Sequence, residues 1–225
     1  MSEVAASKRR SRNRVSVEQR RAEILEATRE VVLRLGFGGT RVKDVAEELG
    51  VSNGLIHYHF ASKDELLAET LRFAANDDIS RLERTVAATR RAPDRFDKLL
   101  REYMPGPGDV SWVLWIDAWG EALRSPTLKQ ISEELDQAWV ALLERIIVEG
   151  IAEGAFRCAD PHAAAWRIAA LMDGLGLQVV LHRSTMSRAQ MLEHARSIAA
   201  EQLGLERDAF PSAGRTPARI RHKRD

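Results

Sequence analysis

Apolar residues recur along the chain at steps of three and four residues, the spacing that places them on one face of an α-helix. In the first such segment, Gly36 follows the last apolar position, where a helix commonly ends. The apolar positions of this segment are Ile24, Ala27, Val31 and Leu35. The pattern and its capping residues predict further helices over 41–49, 53–59, 63–89, 94–104, 110–124, 126–154, 161–182 and 187–203. No segment alternates with the period of a β-strand, so the chain is predicted to be all-α, with about nine helices.

The two ends of the chain lack this pattern and are basic. Residues 1–16 are predicted to be a disordered basic arm and residues 206–225 a disordered basic tail. The net charge of the whole chain is only +1. Residues 1–21 carry +5 and residues 206–225 carry +3, which leaves −7 for the rest. A nearly neutral total therefore hides an acidic body between two basic ends.

Composition excludes several classes of protein. Cys158 is the single cysteine, which excludes a disulfide framework and a Cys-rich zinc site. No apolar run reaches the length of a membrane span, because Arg, Asp or Glu interrupts each candidate, and the basic N-terminal segment lacks the apolar stretch of a secretory signal. A soluble cytoplasmic protein is therefore expected, with no membrane partner.

Catalytic chemistry is not indicated. The sequence offers no paired carboxylates, no Gly-rich phosphate loop and no nucleophile with an activating base, so no enzyme, catalytic residue or cofactor is predicted. His57 and His59 stand two residues apart, and on a helix of 3.6 residues per turn their side chains diverge by about 200°. No metal site is therefore predicted.

The second and third predicted helices are joined by a short turn at Gly50, a residue that tolerates backbone conformations other side chains resist. Ala46 is small where the two helices must approach each other, and Val51 and Ile56 are placed to pack between them. This arrangement is typical of a helix-turn-helix, whose second helix enters the major groove of DNA.

The surface of this segment suits a polyanion. The third helix presents donors and aromatic rings rather than acids, at Asn53, Gly54, His57, Tyr58 and His59. Cations at the starts of neighbouring helices flank it, namely Arg41, Lys43 and Lys63. The basic arm either only solubilises the protein, or it follows the phosphates or enters the minor groove.

Residues 20–71 resemble the N-terminal domain of TetR-type transcriptional repressors. The resemblance lies in Gly36-Phe37 and in residues 40–46, 50–60 and 62–67. It implies a homodimer that binds a palindromic operator and is released by a small molecule, with phosphate contacts from Thr40, Tyr58, His59 and Lys63. Family members commonly read Tyr-His-Tyr-Phe where this chain has His57-Tyr58-His59-Phe60, so the aromatic and imidazole positions are exchanged. The full predicted DNA-binding set is Arg14, Thr40, Arg41, Lys43, Ser52, Asn53, Gly54, His57, Tyr58, His59 and Lys63.

Residues 17–62 are thus the predicted DNA-binding domain, and residues 63–205 the predicted effector-binding and dimerisation domain. All five tryptophans lie in the second, and three of them share one helix face, which is either core packing or the lining of an aromatic pocket. A pocket with a carboxylate would suit a cationic or amphipathic ligand through cation–π contact. Residues 112–126 resemble the BetI-type choline-responsive repressors, which implies a quaternary ammonium effector. The predicted ligand-binding residues are Trp112, Trp115, Asp117, Trp119, Trp139, Trp166, Met172 and Asp173.

The last two predicted helices carry apolar stripes broad enough for a four-helix seam between two copies of the chain. Gly174 and Gly176 in mid-helix favour the close approach of another helix. The predicted interface residues are Leu171, Leu175, Val179, Leu192, Ala195 and Ile198. The fourth helix joins the two domains and is the predicted lever through which an effector weakens DNA binding. The alternative is a helical architectural DNA-binding protein, or an activator, without a small-molecule effector.

Overall fold

The computed structural model describes residues 2–106, 109–182, 186–206 and 209–210, with side chains from residue 17 onward. The helices of this part are α1 Ser2–Gly39, α2 Val42–Leu49, α3 Asn53–His59, α4 Lys63–Ala87, α5 Ala92–Tyr103, α6 Val110–Ala122, α7 Pro126–Ala152, α8 Pro161–Leu181 and α9 Arg188–Gln202. The described part of the chain contains no strand. The prediction of an all-α protein is confirmed, and the helix bounds from α2 onward lie within about two residues of the predicted ones.

The N-terminal segment differs from the prediction. Helix α1 begins at Ser2, whereas residues 1–16 were expected to be disordered. That expectation depended on the absence of apolar periodicity. The segment is nevertheless rich in Ala, Lys and Arg, which are good helix formers and need no buried face to favour helical backbone. Beyond residue 210 the predicted tail lies outside the described residues.

Two glycines set the turns of the N-terminal part. Gly36 interrupts α1 where the sequence predicted the helix to end, with φ 76° and ψ 162°, so its ψ is extended rather than left-handed helical. Gly50 ends α2 with φ 66° and ψ 34°, the left-handed conformation that the turn was predicted to need. Ser52 then caps α3, where its Oγ accepts the N–H of Leu55 at 3.4 Å.

The chain forms two compact units. The first comprises Met1–Ile79 and Pro107–Gln137, and the second Ser80–Gly106 and Ala138–Asp225. Helices α4 and α7 run through both units, and α6 belongs to the first. The bounds of these units differ from those of the predicted domains, residues 17–62 and 63–205. The boundaries of the two functional domains therefore stay a prediction.

The first unit contains two hydrophobic clusters. One lies where α1, α2, α3 and the start of α4 pack together, and it consists of Ile24, Leu25, Val31, Val45, Ala46, Ile56, Phe60 and Leu66. The other joins α1, α4, α6 and the start of α7 and includes Val32, Phe37, Leu71, Leu114, Ala118 and Leu128. The close approach predicted at Ala46 and the packing predicted for Ile56 are both present in the first cluster, where these side chains are almost fully buried.

The second unit holds a buried cluster of charges between α5 and α9. The Asp97 carboxylate is 5% exposed and accepts Arg101 Nε at 2.8 Å and Arg196 Nε at 2.7 Å. The Arg196 side chain is itself 7% exposed, so both charges are removed from water and depend on each other for compensation.

Helix α8 corrects one expectation from the sequence. By length and composition alone it is apolar enough to cross a membrane. The expectation that no apolar run reaches the length of a membrane span was wrong for α8, because its two charged side chains, Arg167 and Asp173, are too few among 21 residues to make it polar on average. About a third of the residues in the most apolar stretch of α8 are buried inside the chain, so this apolar helix has a partly uncovered surface.

Replacing Asp97 should strongly destabilise the second unit. Asp97→Ala removes the carboxylate and leaves the buried Arg196 guanidinium uncompensated, which typically costs about 3–5 kcal/mol. The free energy of unfolding in urea measures this loss. Asp94→Ala is the matched control, because Asp94 lies on the same helix and pairs with the exposed Arg91 at 3.6 Å. It should cost less than about 1 kcal/mol. Equal losses for the two variants would contradict the role of the buried cluster.

Candidate nucleic-acid interface and effector site

The surface of α3 is supported from below by the cluster that closes α1, α2 and α3. Ile56 points into that cluster and Phe60 follows directly after the helix. An ion pair between Arg34 Nη2 and Glu48 Oε2 at 2.7 Å ties α1 to α2. The third helix is therefore seated on a packed base, and its opposite face is free to meet a ligand.

Most of the predicted DNA-binding residues lie on the surface. Tyr58 is 75% exposed, the largest exposure of an aromatic residue on α3. Lys43 is 70% exposed and lies 3.4 Å from Glu47, its neighbour one turn along α2. The exposed members of the predicted set are Arg41, Lys43, Ser52, Asn53, Gly54, His57 and Tyr58.

Arg21 of α1 fastens the end of α3. Its guanidinium donates to the backbone oxygen of His59 at 2.6 Å and lies 4.1 Å above the ring of Phe60. It also approaches Glu65 and Glu69 of α4, at 3.9 and 3.7 Å. One arginine thus holds three helices of the DNA-binding segment together.

The exchange of aromatic and imidazole positions has a structural consequence at His59. Its half-buried ring meets the ring of Tyr58 edge-on at 5.1 Å. Burial, together with the positive charges of Arg21 and Arg20, lowers the pKa of His59 below its ordinary value. His59 is therefore neutral at neutral pH, while Tyr58 and His57 face outward.

Three members of the predicted set have other surroundings. Thr40 is 1% exposed, and its hydroxyl donates to Gly36 O at 2.7 Å, so its side chain is occupied inside the protein. Lys63 is half-buried and its Nζ donates to Gly38 O at 3.3 Å. Arg14 lies where the structure describes no side chains.

The tryptophans of the predicted pocket are divided between the two units of the chain. Trp112 is buried, Trp115 packs on the cluster around Phe37, and Trp119 lies 5.9 Å from Trp115, all in the first unit. This arrangement favours the packing interpretation of the stripe. Asp117 does not accompany them toward a ligand, because its carboxylate accepts the backbone N–H of Phe37 at 2.6 Å.

The second unit brings a different set together. The hydroxyl of Tyr103 donates to Asp173 Oδ1, and the ring of Tyr103 meets the ring of Trp139 edge-on at 5.2 Å. All three side chains are partly buried, and burial raises the pKa of Asp173 although the bond from Tyr103 opposes this. Trp139 and Asp173 were predicted, but Tyr103 was missed, since no local signal links residues seventy positions apart. Met172 is buried and Trp166 is 43% exposed.

Two family matches cover most of this chain. Residues 24–70 match the bacterial regulatory proteins of the tetR family. Residues 92–204, half of the chain, match the C-terminal domain of BetI-type transcriptional repressors. The chain belongs to the TetR family. It is a DNA-binding transcriptional regulator with a BetI-type C-terminal domain, as the resemblance in its sequence implied.

Relatives of this TetR-family chain extend over most of its length. The HTH-type transcriptional regulator BetI of Pseudomonas paraeruginosa is 29% identical over 192 residues, which is 82% of this chain and 93% of that protein. A transcriptional regulator from Saccharomonospora viridis, solved in complex with choline, is 30% identical with a TM-score of 0.72 and covers 83% of this chain and 98% of its own. A TetR-family regulator from Rhodococcus sp. is 26% identical with a TM-score of 0.73, covering 83% and 99%.

The predicted dimer residues of this TetR-family regulator fall into two groups. Leu192 and Ala195 are buried within the chain itself, because α9 packs against α5 and α8, so they are not available to a second copy. Leu171, Leu175, Val179 and Ile198 are partly exposed. A row of exposed positions along α8 was not predicted as such and consists of Trp166, Ala170, Gly174, Gln178 and Leu181.

Lys43 should contribute one phosphate contact. Lys43→Ala should weaken binding by a similar factor on every DNA sequence and reduce the slope of log K against log salt by about 0.9. Titration of labelled duplexes at several salt concentrations measures both quantities. Lys129→Ala is the control, because Lys129 is similarly exposed at 63% but lies on α7 and pairs with Glu133. An unchanged slope for Lys43→Ala would remove this residue from the interface.

Proposed function

We propose that this chain is a cytoplasmic repressor that binds a palindromic operator as a homodimer and is released by a cationic small molecule. The observation that carries the proposal is the outward surface of α3, which presents hydrogen-bonding and aromatic side chains and no acid. A second copy doubles the few base contacts that one short helix offers and places them one DNA turn apart.

The exposures suggest a division of roles within the interface. Asn53 and His57 are exposed on α3 and are suited to base edges, while Arg41, Lys43 and Tyr58 are suited to phosphates. Thr40 acts indirectly, since its hydroxyl is bonded to Gly36 O. The neutral ring of His59 supports the position of Tyr58 through their edge-on contact rather than supplying a charge.

The effector site is proposed at Tyr103, Trp139 and Asp173. Two aromatic rings beside a partly buried carboxylate can hold a quaternary ammonium group, through cation–π contact on the rings and attraction to the carboxylate. The regulator from Saccharomonospora viridis, of similar sequence and fold, is in complex with choline, which supports an effector of this class.

The homodimer is proposed to form along the exposed row of α8. Gly174 lies in the middle of that row, and a Cβ placed there would meet no atom from another part of the described chain within 4 Å. Glycine in an exposed helix interior costs about 0.5–1 kcal/mol relative to alanine, so an approaching helix from a second copy gives this residue a physical reason.

Operator binding and its release by choline test the repressor proposal. A duplex from the region upstream of the protein's own gene should be bound at low salt and released by choline. Asp173→Asn should weaken choline binding at least about tenfold, because the neutral amide no longer attracts the cation, while operator binding persists. The choline affinity of the unmodified protein should also fall as the pH decreases through the raised pKa of Asp173, since protonation removes the same charge. No shift of any DNA at low salt would refute the proposal, and release unaffected by Asp173→Asn would refute the proposed site.

The oligomeric state tests the proposed seam. Gly174→Arg should yield a folded monomer in sedimentation velocity, because a long charged side chain blocks a close helix–helix contact. Ala141→Arg, at an exposed position of α7, is the control and should leave the dimer intact. A dimer that survives Gly174→Arg would move the interface elsewhere.

A further inference from the structure

The interruption of α1 at Gly36 leaves a backbone donor that α6 satisfies. With φ 76° and ψ 162° at Gly36, the following N–H of Phe37 leaves the helical hydrogen-bond pattern. Asp117 of α6 accepts this N–H, with Phe37 N and Asp117 Oδ2 2.6 Å apart. A charged acceptor makes this a stronger bond than a neutral pair would give.

A second carboxylate of α6 faces the same turn. A Cβ built on Gly36 would lie 3.2 Å from Asp117 Oδ2, and one built on Gly38 would lie 3.0 Å from Glu121 Oε2. Asp117 and Glu121 are four residues apart and therefore lie on neighbouring turns of one helix face. The two glycines thus allow α6 to approach the backbone of the turn more closely than side chains would permit.

The same turn fixes the start of the DNA-binding helices. Both the backbone N–H and the hydroxyl of Thr40 donate to Gly36 O, at 3.1 and 2.7 Å, and α2 begins two residues later at Val42. Below the turn, the Phe37 side chain is fully buried with Ala118 of α6 in one cluster. The position of α2, and with it α3, therefore depends on a turn that is held from α6.

We propose that Asp117 is a positioning residue that couples α6 to the DNA-binding helices through the Phe37 N–H. A displacement of α6 carries the turn with it, because the hydrogen bond and the buried cluster that holds Phe37 and Ala118 join the turn to α6. This route adds to the predicted lever in α4. It rests on the proposed function in one respect, namely that an effector changes operator affinity.

Three substitutions of Asp117 distinguish the effect of losing its charge from the effect of losing its hydrogen-bond acceptor. Asp117→Asn keeps an oxygen that can accept the Phe37 N–H and removes the charge, whereas Asp117→Ala and Asp117→Leu remove the acceptor as well. The full-length dimer is used throughout. The measurements are amide hydrogen exchange at Phe37, operator affinity with and without choline, choline affinity without DNA, and thermal stability. Glu133→Ala removes an exposed carboxylate of α7 and controls for net charge.

The proposal expects the Ala and Leu variants to exchange the Phe37 amide at least about tenfold faster and to bind the operator at least about fivefold more weakly. The ratio of operator affinities with and without choline should fall toward one, while choline affinity stays within about twofold. Asp117→Asn keeps a neutral and therefore weaker acceptor, so its values should lie between those of Asp117→Ala and those of the unmodified protein. A purely structural residue would instead lower both affinities together with thermal stability and leave the ratio unchanged.

Two results would overturn the proposal: equal operator affinity and equal Phe37 exchange in Asp117→Ala and Asp117→Asn, or a choline ratio unaffected by Asp117→Ala. If choline does not bind the unmodified protein, the proposed effector class is wrong. The operator affinities of the Asn and Ala variants then test the role of Asp117 on their own. If the unmodified protein binds no operator, the proposed function is wrong, and a Phe37 amide that exchanges equally in the Asn and Ala variants would overturn the contact as well.

Discussion

The positive φ of Gly36 is the constraint on which the DNA-binding surface depends. It interrupts α1, redirects the chain, and frees one backbone donor. The freed N–H of Phe37 donates to Asp117, the Phe37 side chain is buried, and α2 starts a few residues later. Helices α2 and α3, which carry most of the predicted DNA-binding residues, both follow this one backbone conformation, which residues with a Cβ rarely adopt.

Local signals in the sequence were sufficient for most helix bounds and for the exposed face of α3. Gly50, Ser52 and the Ser62 hydroxyl with Glu65 act within a few residues of the chain, and in the structure they lie at the ends of helices that they cap. Exposure along α3 follows from which side chains fill the core, so Ile56 and Tyr58 could be assigned to opposite faces from periodicity alone.

Contacts between distant residues could not be read in this way. Asp117 was grouped with the tryptophans of its own helix, but its partner is Phe37, eighty residues away. Tyr103 carried no signal in the sequence, because its partner Asp173 lies seventy residues further along the chain, on α8. A tryptophan stripe on a helix shows that one face is apolar, and whether it lines a pocket depends on which element covers it.

The contacts of Arg20 and Arg21 alter the meaning of the basic N-terminal segment. Arg20 lies 2.6 Å from Glu23, and Arg21 is engaged with His59 O, Phe60 and two glutamates. These two cations are already committed within the fold. A count of basic residues therefore overstates the positive charge that this end of the molecule can offer to a nucleic acid. Part of that charge stabilises contacts within α1 and between α1 and its neighbouring helices.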